Sequence, residues 1–269
     1  MEALQSAVKT PAAPLRGTYL HRWWRSHIAP RIEWARNRRQ LRTWTKSDEA
    51  WKNFYGEFIR SGDLVFDVGA NLGFRSKIFL AMEATVVALE PQESCANFLR
   101  RTLDSRGHFH LIKMAAGPAP GRTGMHVSED HPVSSLSPEW LAAVKKSGRF
   151  EQIAWDRVQE VEITTLQTVI EQFGRPAFVK IDVEGFEAEV LAGLGSAIPA
   201  LSVEFTPEHT GAAEKCARLL AKLGDYECRH CFGDRPDWWA DRWMSFEELS
   251  PQLAAINGID FADIYFRLK

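Results

Sequence analysis

The chain has 269 residues, room for one large domain or two small ones at ~150 residues per domain. Hydrophobic residues make up 45% and charged residues 25%, a soluble globular balance that excludes a wholly disordered, collagen-like or disulfide-scaffold protein. The net charge of −2 argues against a nucleic-acid binder driven by whole-chain charge, no apolar run approaches the ~18 residues that cross a bilayer, and the four cysteines fit a reducing cytoplasm better than a disulfide framework.

Charge is unevenly placed. From Met1 to Lys46 ten Lys and Arg face two Asp and Glu, about +8, which leaves about −10 on the rest. The chain therefore divides into a basic N-terminal arm, residues 1–47, and an acidic body, residues 48–269. The arm starts polar and punctuated by Pro11 and Pro14, a pattern expected to be poorly ordered. One helix is predicted from Pro30 to Trp44, because Pro30 suits a first turn and not a helix middle. Arginines and Trp23, Trp24, Trp34 and Trp44 interleave here. Residues 21–46 read either as a basic surface for peripheral contact with an anionic membrane or an anionic substrate, or as a helix that packs its tryptophans and keeps its arginines in water. No 7–15-residue apolar core of a secretory signal is present.

In the body, short apolar runs alternate with helical stretches. Strands are predicted at 64–69 (LVFDVG), 85–90 (TVVALE), 109–115 (FHLIKMA), 161–166 (VEITTL), 178–183 (FVKIDV), 200–205 (ALSVEF), 226–232 (YECRHCF) and 263–268 (DIYFRL). Helices are predicted at 73–82, 94–104, 167–173, 186–194 and 210–223. Residues 117–149 are rich in Gly, Pro and Ser and read as a long irregular insertion. This alternation implies an α/β fold with a mostly parallel sheet and helices on both faces. Ligands of such sheets bind at the carboxyl ends of the strands, so Asp67, Glu90, Ala115, Asp182 and Glu204 are the positions of interest.

The first strand runs into Asp67-Val-Gly69-Ala-Asn71-Leu-Gly73 and then a helix. Glycines here let backbone approach a ligand closely. The spacing differs from the G-x-G-x-x-G of a dinucleotide site. Asp67 before the first glycine is ill suited to a diphosphate and suits a ligand with an ammonium and a positive sulfur, as S-adenosylmethionine has. Glu90 at the next strand end would accept from ribose hydroxyls, a role it would fill equally well for NAD.

The stretches VFDVGANLGFRS, VVALEP and above all VKIDVEGFEAEVLAGL followed by LSVEF resemble the FkbM family of S-adenosylmethionine-dependent methyltransferases. The resemblance runs in order from about Trp51 to Phe266. It implies a Rossmann-like seven-stranded methyltransferase sheet with helices on both faces, ending in an antiparallel pair that 226–232 and 263–268 match. It also implies O-methylation of hydroxyls on sugars or polyketide-type natural products. Gln167 stands where the family usually has Asp, and the basic helical arm is not part of the family core.

Methyl transfer to a hydroxyl needs an aligned acceptor oxygen and a base for its proton. Lys180 and Asp182 point to one face of their strand and Glu184 follows at the turn, so Asp182, Lys180 and Glu184 are candidate catalytic residues. Glu187 and Glu189 read as acids that favour a helix N-terminus. Met114, Ala115 and Ala116 offer small residues beside an adenine edge, and Ser134 and Ser135 resemble a hydroxyl pair of the family near the cofactor. Glu204 is a candidate substrate contact. His209 is the best-placed histidine for a general base, ahead of His126 and His131. Cys228 and Cys231 fall on opposite faces of one strand, so no metal site is expected there. The cofactor-binding set is thus Asp67, Gly69, Asn71, Gly73, Glu90, Ala115, Ala116 and Ser135. The competing reading is a catalytically inactive methyltransferase-like binding protein, peripheral to a membrane through its arm.

Overall fold

The computed structural model describes residues 29–104, 107–127, 134–148, 155–256 and 261–269. The expectations for Pro11, Pro14, Trp23, Trp24 and His131 lie outside the described residues. Two compact units divide the chain, Met1–Arg42 and Thr43–Lys269. In the first, α1 (Ala29–Arg42) carries Pro30 in its opening turn and Arg39 and Arg42 in its last. A proline costs little in a first turn, and arginines near the carboxyl end complement the helix dipole.

The second unit begins with α2 (Lys46–Tyr55), a helix the structure adds to the expected set. Its signal is a capping box. Asp48 N donates to Thr45 Oγ1 at 3.1 Å, and Thr45 N donates to Asp48 Oδ2 at 2.8 Å, satisfying two helix-end donors. Trp51 and Tyr55, four residues apart, are both buried. There follow β1 (Leu64–Val68), α3 (Phe74–Ala81), β2 (Thr85–Leu89), α4 (Glu93–Thr102), β3 (Phe109–Ile112), β4 (Ala115–Ala116), β5 (Gly121–Val127), α5 (Pro138–Ser147), β6 (Arg157–Thr164) and α6 (Leu166–Phe173). The unit closes with β7 (Phe178–Ile181), α7 (Glu187–Ala192), β8 (Ala200–Phe205), α8 (Thr210–Ala221), β9 (Tyr226–Phe232), α9 (Phe246–Ala254) and β10 (Ala262–Leu268).

The central sheet has seven strands in the order β3-β2-β1-β7-β8-β10-β9. Five are parallel, and β10 runs antiparallel to both β8 and β9. The seven-stranded α/β architecture with an antiparallel ending is as expected. Strand order reverses between β1 and β7, which makes their carboxyl ends the natural binding crevice. One face buries Phe66, Val68, Val179, Ile181, Leu201 and Val203 against α7, α8 and α9. On the other face Tyr55 of α2 packs on Phe79 and Phe178, with ring centroids 4.9 and 5.6 Å away. Both faces being covered explains the near-continuous apolar character of β2; in β7 Lys180 interrupts it.

Several elements differ from the sequence reading. The strand expected over 109–115 is two strands: β3 stays in the central sheet, while β4 pairs with β6 in a separate three-stranded sheet, β4-β6-β5. The strand expected at 161–166 therefore belongs to that small sheet. The stretch expected to be irregular holds β5 and α5. Met125 and Val127 alternate inward in β5 and join Ala115 and Val161 in a small apolar cluster; Gly121 and Gly124 conceal that alternation. Helix α5 has explicit ends, with Ser137 Oγ accepting from Trp140 N, Pro138 in the first turn and Gly148 after the last. Helix α9 is also additional, opened by a Ser245–Glu248 capping box and interrupted by Pro251.

Candidate active site

The turn after β1 is fixed by contacts that leave no room for side chains. Gly69 has φ 78°, and a Cβ there would lie 1.8 Å from the Asp182 carbonyl oxygen. Only glycine permits both the left-handed backbone and that approach. The carboxyl tips of β1 and β7 thus meet directly. Asn71 follows with φ 50°. Gly73 precedes α3 and faces Leu99 and Leu103. Asp67 is 1% exposed and accepts from Ser76 Oγ at 2.6 Å. Burial raises its carboxyl above the ordinary range, against the pull of Lys180 and of the Ser76 hydroxyl.

Glu90 ends β2 with both oxygens engaged. Asn71 N donates to Oε2 and Gln92 N to Oε1, each at 2.7 Å. Burial pushes the carboxyl up to about 7 in spite of these donors. The backbone of the β1 turn and the carboxylate at the tip of β2 form one hydrogen-bonded unit. Ala115 and Ala116, both buried, continue the wall. Ser135 closes it from α5's approach, donating from Oγ to the Glu184 carbonyl at 2.7 Å.

The third wall follows β7. Lys180 Nζ lies 2.5 Å from Asp182 Oδ2. Burial opposes the ammonium charge, but Asp182, Asp263 and Asp67 outweigh it and hold Lys180 above its ordinary pKa. In register, Lys180 stands between Asp67 on β1 and Ser202 on β8. Asp182, Glu184 and Glu204 each place a carboxylate oxygen within 4.8 Å of the other two. Burial, then Asp182 and Glu184, push Glu204 well above the ordinary carboxylate range. Among the described residues this grouping has the spacing to ligate a divalent cation, although Lys180 already compensates one of its charges. Asp263, paired with Glu204 in register, is raised to about 6 by burial against the opposing pull of Lys180.

These walls line a cleft of about 100 Å³ that opens to solvent. Gly69, Asn71, Glu90, Ala115, Ala116 and Ser135 line it, and so do Met114, Ser134, Asp182 and Glu184. Asp67, Gly73, Lys180, Glu204 and His209 do not. Asp67 and Lys180 lie in the sheet behind it, and Glu204 adjoins Asp182. His209 lies among Lys215, Glu189 and Glu139, and burial lowers its pKa. Gln167 anchors the turn before β8, accepting from Gly195 N at 3.2 Å, and does not reach the cleft. Cys228, Cys231, Cys95 and Cys216 are free and buried.

Three residues that support the cleft were not among the site residues expected from the sequence. Trp140 covers Gly185 and donates from Nε1 to Thr206 Oγ1 at 3.2 Å. Thr206 follows β8 and is buried. Glu187 holds the turn after β7. The Ser-Pro start of α5 signals a helix with Trp140 in its first turn; nothing local signals that this helix roofs loops more than forty residues away.

A sheet reversed between β1 and β7, with a glycine turn at one tip and a buried carboxylate at the next, is a Rossmann-like arrangement. The sequence profile of the methyltransferase FkbM domain matches residues 67–231, and the chain belongs to that family. It is an S-adenosylmethionine-dependent methyltransferase. No curated protein matches the chain. Among solved structures it is similar to a precorrin-6y C5,15-methyltransferase from Geobacter metallireducens, at 12% identity and TM-score 0.40 over 81% of this chain and 85% of that one. It is also similar to an rRNA methylase from Streptococcus thermophilus, at 10% identity and TM-score 0.41 over 84% and 99%. A third is an O-methyltransferase from Thermotoga maritima, at 12% and 0.38 over 84% and 66%. The family assignment rests on the profile match. The cleft fits the cofactor chemically: Glu90 offers acceptors for a ribose diol, Ala115 and Ala116 a small-residue wall, and Asp182 and Glu184 negative charge for an ammonium or sulfonium.

Proposed function

We propose that this protein methylates a hydroxyl oxygen of a glycan or other small-molecule acceptor. The observation that carries this reading is the convergence of Asp182, Glu184 and Glu204 within 4.8 Å at the edge of the cleft. Gly69, Asn71, Glu90, Ala115, Ala116 and Ser135 hold the cofactor. Asp67 and Gly73 act from behind, Asp67 by fixing Ser76 of α3 and Gly73 by letting the turn close on Leu99. When bound, the cofactor supplies an electrophilic methyl group on a positively charged sulfur.

The chain's own residues do the rest. Asp182 accepts the proton of the attacking hydroxyl, a role general bases fill at ~10²–10⁴-fold in rate. Lys180, 2.5 Å away, orients that carboxylate and balances its charge. Glu184 and Glu204 hydrogen-bond neighbouring hydroxyls of the acceptor. The base is assigned to Asp182 in preference to His209, whose ring neighbours are Glu189, Glu139 and Lys215. A mouth rich in carboxylates repels phosphate backbones, which supports a neutral acceptor and no nucleic acid. The buried free thiols suit a cytoplasmic location. The basic segment 21–46 takes a peripheral place at an anionic membrane surface, supported by the exposed Arg38 and Arg42 of α1.

Incubation with isotope-labelled S-adenosylmethionine and an extract of host metabolites, read by mass spectrometry, tests the reading. A labelled product heavier by one methylene unit and stable to base supports O-methylation. Label on nitrogen or on RNA contradicts it, and a cofactor that never binds favours the inactive binding protein.

A further inference from the structure

We propose that Glu187 is the positioning residue of this site: its buried carboxylate holds the turn 182–185 in the shape that presents Asp182 and Glu184 to the cleft. The proposal rests on the reading that this turn faces the cofactor and acceptor. As an acid in the first turn of α7 it would ordinarily be taken as a dipole partner. The geometry assigns it a more specific task.

The turn is strained. Glu184 has φ 55° and Gly185 φ 89°, two successive residues in the left-handed region, which a glutamate adopts only when its surroundings impose it. From the core side, Glu187 Oε1 accepts from both Val183 N and Gly185 N, each at 3.1 Å. These donors flank Glu184, so one oxygen closes the backbone around it. From the cleft side, Ser135 Oγ holds the Glu184 carbonyl at 2.7 Å. Above, a Cβ on Gly185 would lie 2.4 Å from Trp140 Cβ. Asp182 N, donating to Val68 O at 3.0 Å, pins the start of the turn to the tip of β1. Glu187 is 2% exposed, so the two amides it binds have no water to replace it.

Consuming these donors also sets the character of the turn. Val183 N and Gly185 N are withdrawn from any ligand, and what the turn offers outward is the carboxylates of Asp182 and Glu184. Asp182, Glu204 and the Cys216 thiol of α8 interact electrostatically with Glu187. Burial and Asp182 raise the Glu187 carboxyl to about 7 against its backbone donors. Neither protonation state removes the acceptor function, since a protonated carboxyl keeps a carbonyl oxygen for the two amides.

The test compares Glu187→Gln, which keeps the accepting oxygen, with Glu187→Met, which keeps the volume and removes it. Titration calorimetry with S-adenosylhomocysteine and amide hydrogen exchange across 178–187 are measured on the full chain. The expected result is that E187M weakens binding at least about tenfold and speeds exchange at Val183 and Gly185 by about tenfold or more, the scale of leaving buried donors unpaired. Exchange within β7 stays native, and E187Q returns both readings to within about threefold of wild type. The proposal is overturned if E187M matches wild type in both, or if a folded E187Q is as impaired as E187M. Should E187M not fold, E187Q decides alone: native affinity and exchange support the role, and their loss overturns it. Failure of the wild-type chain to bind S-adenosylhomocysteine would defeat the cofactor reading; the exchange contrast between Gln and Met would still settle what Glu187 does.

Discussion

The two sides of the cleft are built differently. On the donor side, the tips of β1 and β2, the carboxylates are singly assigned: Asn71 N and Gln92 N take one Glu90 oxygen each, and Ser76 takes Asp67. On the acceptor side, the tips of β7 and β8, charges are crowded and drawn from remote segments. Lys180, Asp182, Glu184 and Glu204 share one neighbourhood, roofed by Ser135 and Trp140. The donor side is rigid backbone with one carboxylate. The acceptor side is a balance of crowded charges. A cofactor that never changes suits the first, and an acceptor that loses a proton suits the second.

Substitutions should separate the two sides. The largest effect belongs to Gly69→Ala, where the new Cβ meets the Asp182 carbonyl in a left-handed backbone. A loss of about 3 kcal/mol or more is expected from strain and overlap, with cofactor binding abolished, as thermal melting and calorimetry would report. Asp182→Asn comes next. Turnover should fall ~10²-fold or more while S-adenosylhomocysteine affinity stays within a few fold; wild-type turnover would remove Asp182 from the mechanism.

The third contrast is one of pH. Glu90 is raised from 4.5 to about 7 in the folded chain. Its protonated form is therefore favoured on folding, a contribution present below about pH 4.5 and lost as pH rises through about 7. Ribose hydroxyls donate best to the ionised form, so cofactor affinity should climb as pH passes about 7. Glu90→Gln should flatten that rise and weaken binding about tenfold. An unchanged pH profile in the variant would place the titration elsewhere. The smallest effect is expected from chelation. With Lys180 beside Asp182 and Glu204 held well above the ordinary carboxylate range by burial, the carboxylates are balanced without an ion, and EDTA should leave turnover within about twofold. A restored requirement for one divalent cation would contradict that balance.

The donor side was readable because it is contiguous. Asp67 through Gly73 lie on one strand and turn, and Glu90 ends the next apolar run, so alternation and glycine spacing locate both. Asp182 and Glu184 were readable for the same reason. What stayed hidden was tertiary. No local pattern tells that Ser135 reaches the Glu184 carbonyl, that Trp140 sits on Gly185, or that Glu187 bonds backward to Val183 and Gly185 in place of serving only its helix. The small sheet was missed because Gly121 and Gly124 interrupt the inward alternation of Met125 and Val127. The α2 and α9 helices, by contrast, carry capping boxes at Thr45 and Ser245 that are fully local signals. His209 shows the limit of residue type as a guide: a histidine after a strand end, it does not line the cleft.

Calorimetric titration of the full chain with S-adenosylhomocysteine, run beside NAD, tests the donor side most directly. The expected result is one site per chain for S-adenosylhomocysteine, lost in Gly69→Ala and weakened in Glu90→Gln, with no heat from NAD. Binding of the dinucleotide, or equal binding of S-adenosylhomocysteine by wild type and Gly69→Ala, would contradict it.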